Sequence, residues 1–216
     1  MASAVADLFP GRFAAVCAGG QRDEYNFFGL SYDERFAGSW ALCGLSCERN
    51  ASYVPICFTA DPTDTNYPMH ERRYLRFANQ PTWLPYEGIG HATSEQMSQD
   101  AYAWLDRHVG QRPDRFFCLS AGPGLPGAWG VRAVPSAPRD PSDPASYPHF
   151  WCAVEGSTVR IDSENASALV LDLGRPARGR GLGLSGEVAV IWNGVEAYRS
   201  EAGSVRLEAP TDTGNR

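Results

Sequence analysis

Val54-Pro-Ile-Cys-Phe-Thr-Ala-Asp61-Pro-Thr-Asp64-Thr-Asn-Tyr-Pro68 is the stretch on which the fold turns. Tyr53 to Thr59 is a short apolar run without a polar alternation, the pattern of a strand buried on both faces. Asp61-Pro62 and Asp64 then break it, because Pro fixes φ and Asp bonds its own backbone two residues on. Pro68 suits the first turn of a helix, and Met69 to Ala78 carries Tyr74, Phe77 and Ala78 among Arg and Glu, so a helix is expected there. A further strand is read at Thr82 to Tyr86, then the loop Glu87-Gly-Ile-Gly-His91. A helix from Ser94 to His108 follows, with a Thr93-x-x-Gln96 capping box, an apolar stripe of Met97, Ala101, Trp104 and Leu105, and Gly110 at its end. Upstream, Ala2 to Leu8 reads as the end of a helix and Phe13 to Cys17 as another buried strand. Strand, helix, strand, helix implies a right-handed parallel unit, hence an α/β class.

After Gly110 the pattern changes. Phe116 to Leu119, Ala128 to Val131, Phe150 to Val154, Val159 to Asp162, Ala168 to Leu173 and Val188 to Trp192 are strand-like and separated by turn residues. Asn193-Gly194 between two such runs predicts a type I′ hairpin, since both central residues need positive φ. The expected organisation is residues 1–112 as a partial α/β domain, 113–209 as a small antiparallel β domain and 210–216 as a tail. Pro135 to Pro148 is read as an extended loop.

Composition removes several function classes. Forty-three per cent hydrophobic residues is too many for a disordered chain. A net charge of −6 without a basic cluster argues against a nucleic-acid partner. No run approaches the roughly 20 apolar residues of a membrane span, and Met1 to Asp7 lacks the basic start and apolar core of a signal peptide. Localisation stays open. All 19 basic residues are Arg, a bias expected of a GC-rich genome and pointing to a bacterial source. Of the six cysteines, four lie in apolar runs where a buried free thiol is expected. Only Cys43 and Cys47 are near neighbours, and their spacing fits neither a redox pair nor a zinc knuckle. No cofactor and no metal are expected.

An Asp-bearing turn and a Gly-His loop, each after a strand, match the chemistry of an activated serine. The hydroxyl needs a neutral imidazole to take its proton, and the imidazole needs a carboxylate to fix its tautomer and stabilise the imidazolium. Phe9-Pro-Gly-Arg-Phe-Ala-Ala-Val16 resembles the P-D-R-F-A-A-V segment that follows the nucleophile helix in α/β-hydrolases of the dienelactone-hydrolase, prolyl-oligopeptidase and feruloyl-esterase type. The later motifs come in that family's order. The resemblance implies the C-terminal part of an α/β-hydrolase parallel sheet, with Asp64 as the triad acid, His91 as the general base and a small ester or peptide as substrate. Asp64-Thr-Asn-Tyr-Pro68 matches the family's Asp, spacer, Pro pattern; Asp61 is the alternative acid. The plainer reading makes both ordinary turn or capping residues and His91 a solvated loop residue. The family's G-x-S-x-G nucleophile turn occurs nowhere in the sequence. By resemblance the Ser lies outside this chain, and the chain is expected to pack against the missing segment. The β-rich segment from Val159 onward resembles a module appended to some secreted esterases and peptidases of the superfamily. The rival expectation is a non-catalytic chain in which Asp64 and His91 are relics and the β-rich part binds a partner.

Other motifs do not survive inspection. His70-Glu71 starts like a zinc-protease helix, but position 74 is Tyr. Gly181-Leu-Gly-Leu-Ser-Gly186 matches a dinucleotide fingerprint literally, yet it precedes a strand instead of opening a helix. Ser120 in Cys118-Leu-Ser-Ala-Gly122 lacks the first glycine of a nucleophile turn. His108 is expected to complement a helix dipole and His149 to lie at a strand edge. Tyr67, Trp83 and Ile89 are candidates to line the site.

Overall fold

A computed structural model describes residues 16–19, 55–65, 67, 82–90, 92, 94–108, 112–119, 127–138, 146–174 and 181–209. His91, Thr93, the Ala2 to Leu8 and Met69 to Ala78 segments, Cys43, Cys47, Ser120 and residues 210–216 lie outside them. The chain divides into two compact units, Met1–Pro113 and Asp114–Arg216.

In the first unit, β1 (Val16–Gly19), β2 (Ile56–Ala60) and β3 (Thr82–Pro85) form a parallel sheet in that order, with Cys57 facing Cys17 on one side and Thr82 on the other. The helix α1 (Glu95–Leu105) lies against β1 and β2. Met97 is its buried anchor, and the Trp104 indole N–H donates to Thr82 Oγ1 at 3.0 Å, fixing the helix to β3. Ser94 caps it: its backbone is extended and its Oγ accepts from the Met97 N–H at 3.0 Å, satisfying one of the unpaired donors of the first turn.

The second unit holds β4 (Arg115–Leu119), β5 (Val131–Pro135), β6 (His149–Glu155), β7 (Thr158–Glu164), β8 (Ala166–Asp172), β9 (Glu187–Trp192), β10 (Val195–Glu201) and β11 (Ser204–Glu208). One sheet runs β10-β9-β7-β6-β4 and the other β11-β8-β5. All pairings are antiparallel except β7 with β9. That exception has a topological cause: after β7 the chain crosses to the second sheet as β8 and returns as β9. Alternation then sorts the side chains. Phe150, Cys152 and Val154 of β6 and Val159 and Ile161 of β7 point inward, while Trp151 and Arg160 point out. Val131, Ala133, Leu169, Leu171 and Leu207 supply the buried face of the second sheet. Phe116 and Trp129 meet with ring centroids 4.8 Å apart, joining the two faces in one core. Removing each such large side chain from water is worth roughly 1.5–3 kcal/mol.

The edge strand β10 buries no side chain and carries charges. Arg199 donates from two nitrogens to both carboxylate oxygens of Glu196, at 2.9 and 2.6 Å, which holds the Glu196 carboxyl below its usual range. Charges on an exposed edge discourage pairing with another chain.

The α/β-hydrolase expectation for the fold is corrected. Among the described residues there are eleven strands and one helix, and eight of the strands lie in two antiparallel-rich sheets. An α/β sheet needs a crossover of a dozen or more residues, usually a helix, between successive parallel strands. The pairs β6–β7, β7–β8, β9–β10 and β10–β11 are instead joined by a few turn residues. Among the described residues no helix is long and apolar enough to cross a membrane.

Candidate functional site

Among the described residues the buried polar side chains are Thr59, Asp61 and Asp64, all at the carboxyl end of β2. A carboxylate leaves water only at a cost unless hydrogen bonds replace the solvent, so two within one turn require a local explanation.

For Asp61 the explanation is complete. Its Oδ1 accepts from the Thr63 N–H at 2.7 Å and from the Thr63 hydroxyl at 2.8 Å. Its Oδ2 accepts from the Ile89 N–H at 2.5 Å and the Gly90 N–H at 2.6 Å. A carboxylate offers about four lone-pair positions, and all four are taken. Burial pushes the Asp61 carboxyl up, but the four donors together outweigh it and hold it down, to about 2. Asp61 is therefore a buried anion over the working pH range.

Its partners lie on the loop after β3, at the same end of the parallel sheet, since neighbouring parallel strands place their carboxyl ends on one edge. Gly88 (φ 79°) and Gly90 (φ 58°) both take left-handed backbone on either side of Ile89. That alternation turns successive N–H groups toward one point, an anion-binding concavity that the Asp61 carboxylate fills. Ala92 N–H then donates to the Ile89 carbonyl at 3.1 Å, closing a turn whose third residue in sequence is His91.

Asp64 is built into the same turn. Its N–H donates to the Asp61 carbonyl at 2.9 Å and its own carbonyl accepts from the Tyr67 N–H at 2.9 Å, and the residue as a whole is 5% exposed. Tyr67 meets Trp83 edge to face, with centroids 5.3 Å apart, linking the 61–67 segment to β3. Tyr86, just after β3, is tied to α1 by its hydroxyl, which donates to Asp100 Oδ2 at 2.7 Å; within α1, Gln96 donates to Asp100 Oδ1 at 2.8 Å. The structure thus brings together Asp61, Asp64, Tyr67, Trp83 and Ile89. His91 itself lies outside the described residues, although the residues on both sides of it are fixed.

The remaining candidates have local roles. His108 approaches the Trp104 carbonyl through Nδ1 at 2.8 Å and stacks on the Trp104 ring. His149 opens β6, an interior strand of its sheet, where Nε2 is 3.3 Å from Glu164 and the ring contacts Phe117 and Trp151. Gly181 to Gly186 forms a helix-free loop before β9, with Leu182 buried and its N–H on the Asp172 carbonyl, so the dinucleotide reading falls on geometry as well. Cys57, Cys118 and Cys152 are buried and form no disulfide. Among the described residues no three His, Cys, Asp or Glu side chains gather as a metal site would require.

Sequence reasoning ranked Asp61 second and missed its bond to the Gly90 loop. The Asp-x-Thr spacing signals the contact to Thr63, but nothing local signals a partner 28 residues away. Set beside protein-family models, curated proteins and solved structures, the chain matches none.

Proposed function

We propose that this chain supplies the acid and base of a serine-type hydrolase acting on a carboxylic ester or peptide, with Asp64 orienting His91. Neutral His91 takes the proton of the attacking serine hydroxyl and later returns it to the leaving group. Asp64 fixes the imidazole tautomer and stabilises the imidazolium. The observation that supports this reading is the tie between the two segments: the 61–64 turn holds, through Asp61, the main chain immediately before His91. The four donors already on the Asp61 carboxylate support the choice of Asp64 over Asp61 as the acid.

The second reading, a non-catalytic chain whose β-rich unit serves binding, is favoured by the lack of any G-x-S-x-G in the sequence. Hydrolysis of p-nitrophenyl acetate separates the two. It is measured on this chain and on a form extended through any in-frame upstream G-x-S-x-G, each with His91→Ala and Asp64→Asn controls. The hydrolase reading predicts turnover that falls by orders of magnitude in both variants. Turnover indifferent to both, or none in either form, favours the binding reading.

A further inference from the structure

We infer that the outward face of the five-stranded sheet, around Trp151, is a binding site for a neutral saccharide: the indole stacks on a sugar ring while Asp162 and Arg160 bond its hydroxyls. The inference does not depend on the reading of Asp64 and His91. Among the described residues three large apolar side chains are exposed, Tyr102, Trp151 and Val195, and Trp151, 39% exposed, is the one held by other rings. Phe117 and His149 each lie 5.1 Å from it between ring centroids. His149 is itself fixed, with Nδ1 3.1 Å from the Tyr147 carbonyl and Nε2 3.3 Å from Glu164. An exposed ring that is already immobile has little rotamer freedom left to lose when a ligand covers it.

The strand register sets the polar groups beside the ring. Trp151 faces Asp162 across the β6–β7 pair, and Ala153, the next residue along the same face, faces Arg160. Directly opposed side chains start about 5 Å apart, which puts the Asp162 carboxylate at the rim of the indole. Asp162 has no hydrogen-bond or ion-pair partner among the described residues, so its acceptor positions are open to a ligand. Arg160 meets Glu155 through Nε at 3.5 Å, which leaves its terminal nitrogens as donors. These charges select the ligand. A cation on the indole would be repelled by Arg160 and an anion by Asp162, and the net charge of −6 disfavours a polyanion further. A neutral sugar meets neither penalty: its C–H groups lie on the electron-rich face of the indole, and its hydroxyls donate to Asp162 and accept from Arg160.

The test is native affinity electrophoresis of the full chain through gels containing hydroxyethylcellulose, arabinoxylan, galactomannan or soluble starch, each against a gel without polymer. At least one polymer is expected to retard the chain, at low and at high salt alike. Trp151→Ala is expected to weaken that binding about tenfold, the scale of one lost ring contact, and Trp151→Phe to weaken it less. Asp162→Ala removes an exposed group with no packing role, so it is expected to weaken binding without changing Tm, and it keeps the test decisive should Trp151→Ala fail to fold. Migration unchanged by all four polymers overturns the inference. So does retardation that Trp151→Ala and Asp162→Ala leave intact, or retardation that high salt abolishes, since the latter marks an ionic contact.

Discussion

Phe150 and Trp151 are neighbours in β6 on opposite faces of the sheet, and replacing each by alanine tests how the second unit is built. Phe150 is 0% exposed, paired against Cys118 of β4 and Ser163 of β7, with Phe116 at 6.1 Å between ring centroids. Phe150→Ala removes a ring that the rigid sheets on either side cannot collapse to replace, so the loss should be about 3–5 kcal/mol. For a unit of this size that corresponds to a fall in Tm on the order of 20 °C. Trp151 is 39% exposed and loses contacts to Phe117 and His149, each at 5.1 Å. Two aromatic contacts with a half-wet ring support a cost of about 1–2 kcal/mol. Urea titrations followed by resolved amide resonances of β6, β7 and β9 report this unit separately from the first. The expected result is a large drop in midpoint for Phe150→Ala and a small one for Trp151→Ala, with unchanged m. A Trp151→Ala cost equal to or above that of Phe150→Ala would show that the inward and outward faces are assigned the wrong way round.

Other predictions concern the first unit and the thiols. The folded Asp61 carboxyl titrates at about 2 against an ordinary 3.8, a depressed pKa, so its contribution to stability is complete above about 3.8 and is lost as pH falls from there through about 2. Denaturation midpoints of the first unit should drop across that window more steeply than in Asp61→Asn, and parallel curves would contradict the four-donor geometry. Ser94→Ala removes the acceptor of the Met97 N–H and should cost about 1 kcal/mol in urea titration, whereas Ser98→Ala, within α1, should cost less. Burial pushes the Cys118 thiol up to about 12, so Ellman's reagent at pH 8 should leave it unmodified until the chain is unfolded. Labelling of Cys118 in the native chain would place β4 differently.

Locally specified elements were the ones legible in the sequence. Asn193 and Gly194 take φ of 47° and 83°, the conformation that an Asn-Gly pair alone demands, and the flanking strands follow from it. Thr158–Glu164 is legible because Val159 and Ile161 alternate with charged residues on a half-buried strand. The helix Glu95–Leu105 is legible from its stripe, but the cap is Ser94 and not Thr93: the Thr93-x-x-Gln96 spacing points to the wrong one of two adjacent hydroxyl residues, and the extended backbone at Ser94 decides.

Ala128-Trp-Gly-Val reads as a strand, but its middle is a turn and the strand β5 begins only at Val131. Trp129 (φ 44°) and Gly130 (φ 87°) reverse the chain, Ala128 and Val131 exchange both backbone bonds, and a side chain at Gly130 would come within 2.5 Å of the Gly181 backbone. β11 was not read at all, since Ser-Val-Arg-Leu-Glu buries only Leu207 and takes its stability from pairing with β8. The division of strands between two sheets and the parallel β7–β9 pair are set by long-range pairing that no short window contains. The fold class departs from the expectation for the same reason: the 54–91 stretch carries the α/β pattern, while eight of the eleven described strands lie beyond residue 113. The site was legible as residue types, a carboxylate turn and a Gly-His loop, while the contact that joins them was not.

The Asp64–His91 pair is tested without any nucleophile by proton NMR of the ¹⁵N-labelled chain at low temperature, where an imidazole N–H held by a carboxylate resonates far downfield. The proposal predicts one such resonance, assigned to His91, that disappears in Asp64→Asn. No such resonance, or one that survives Asp64→Asn, would contradict it.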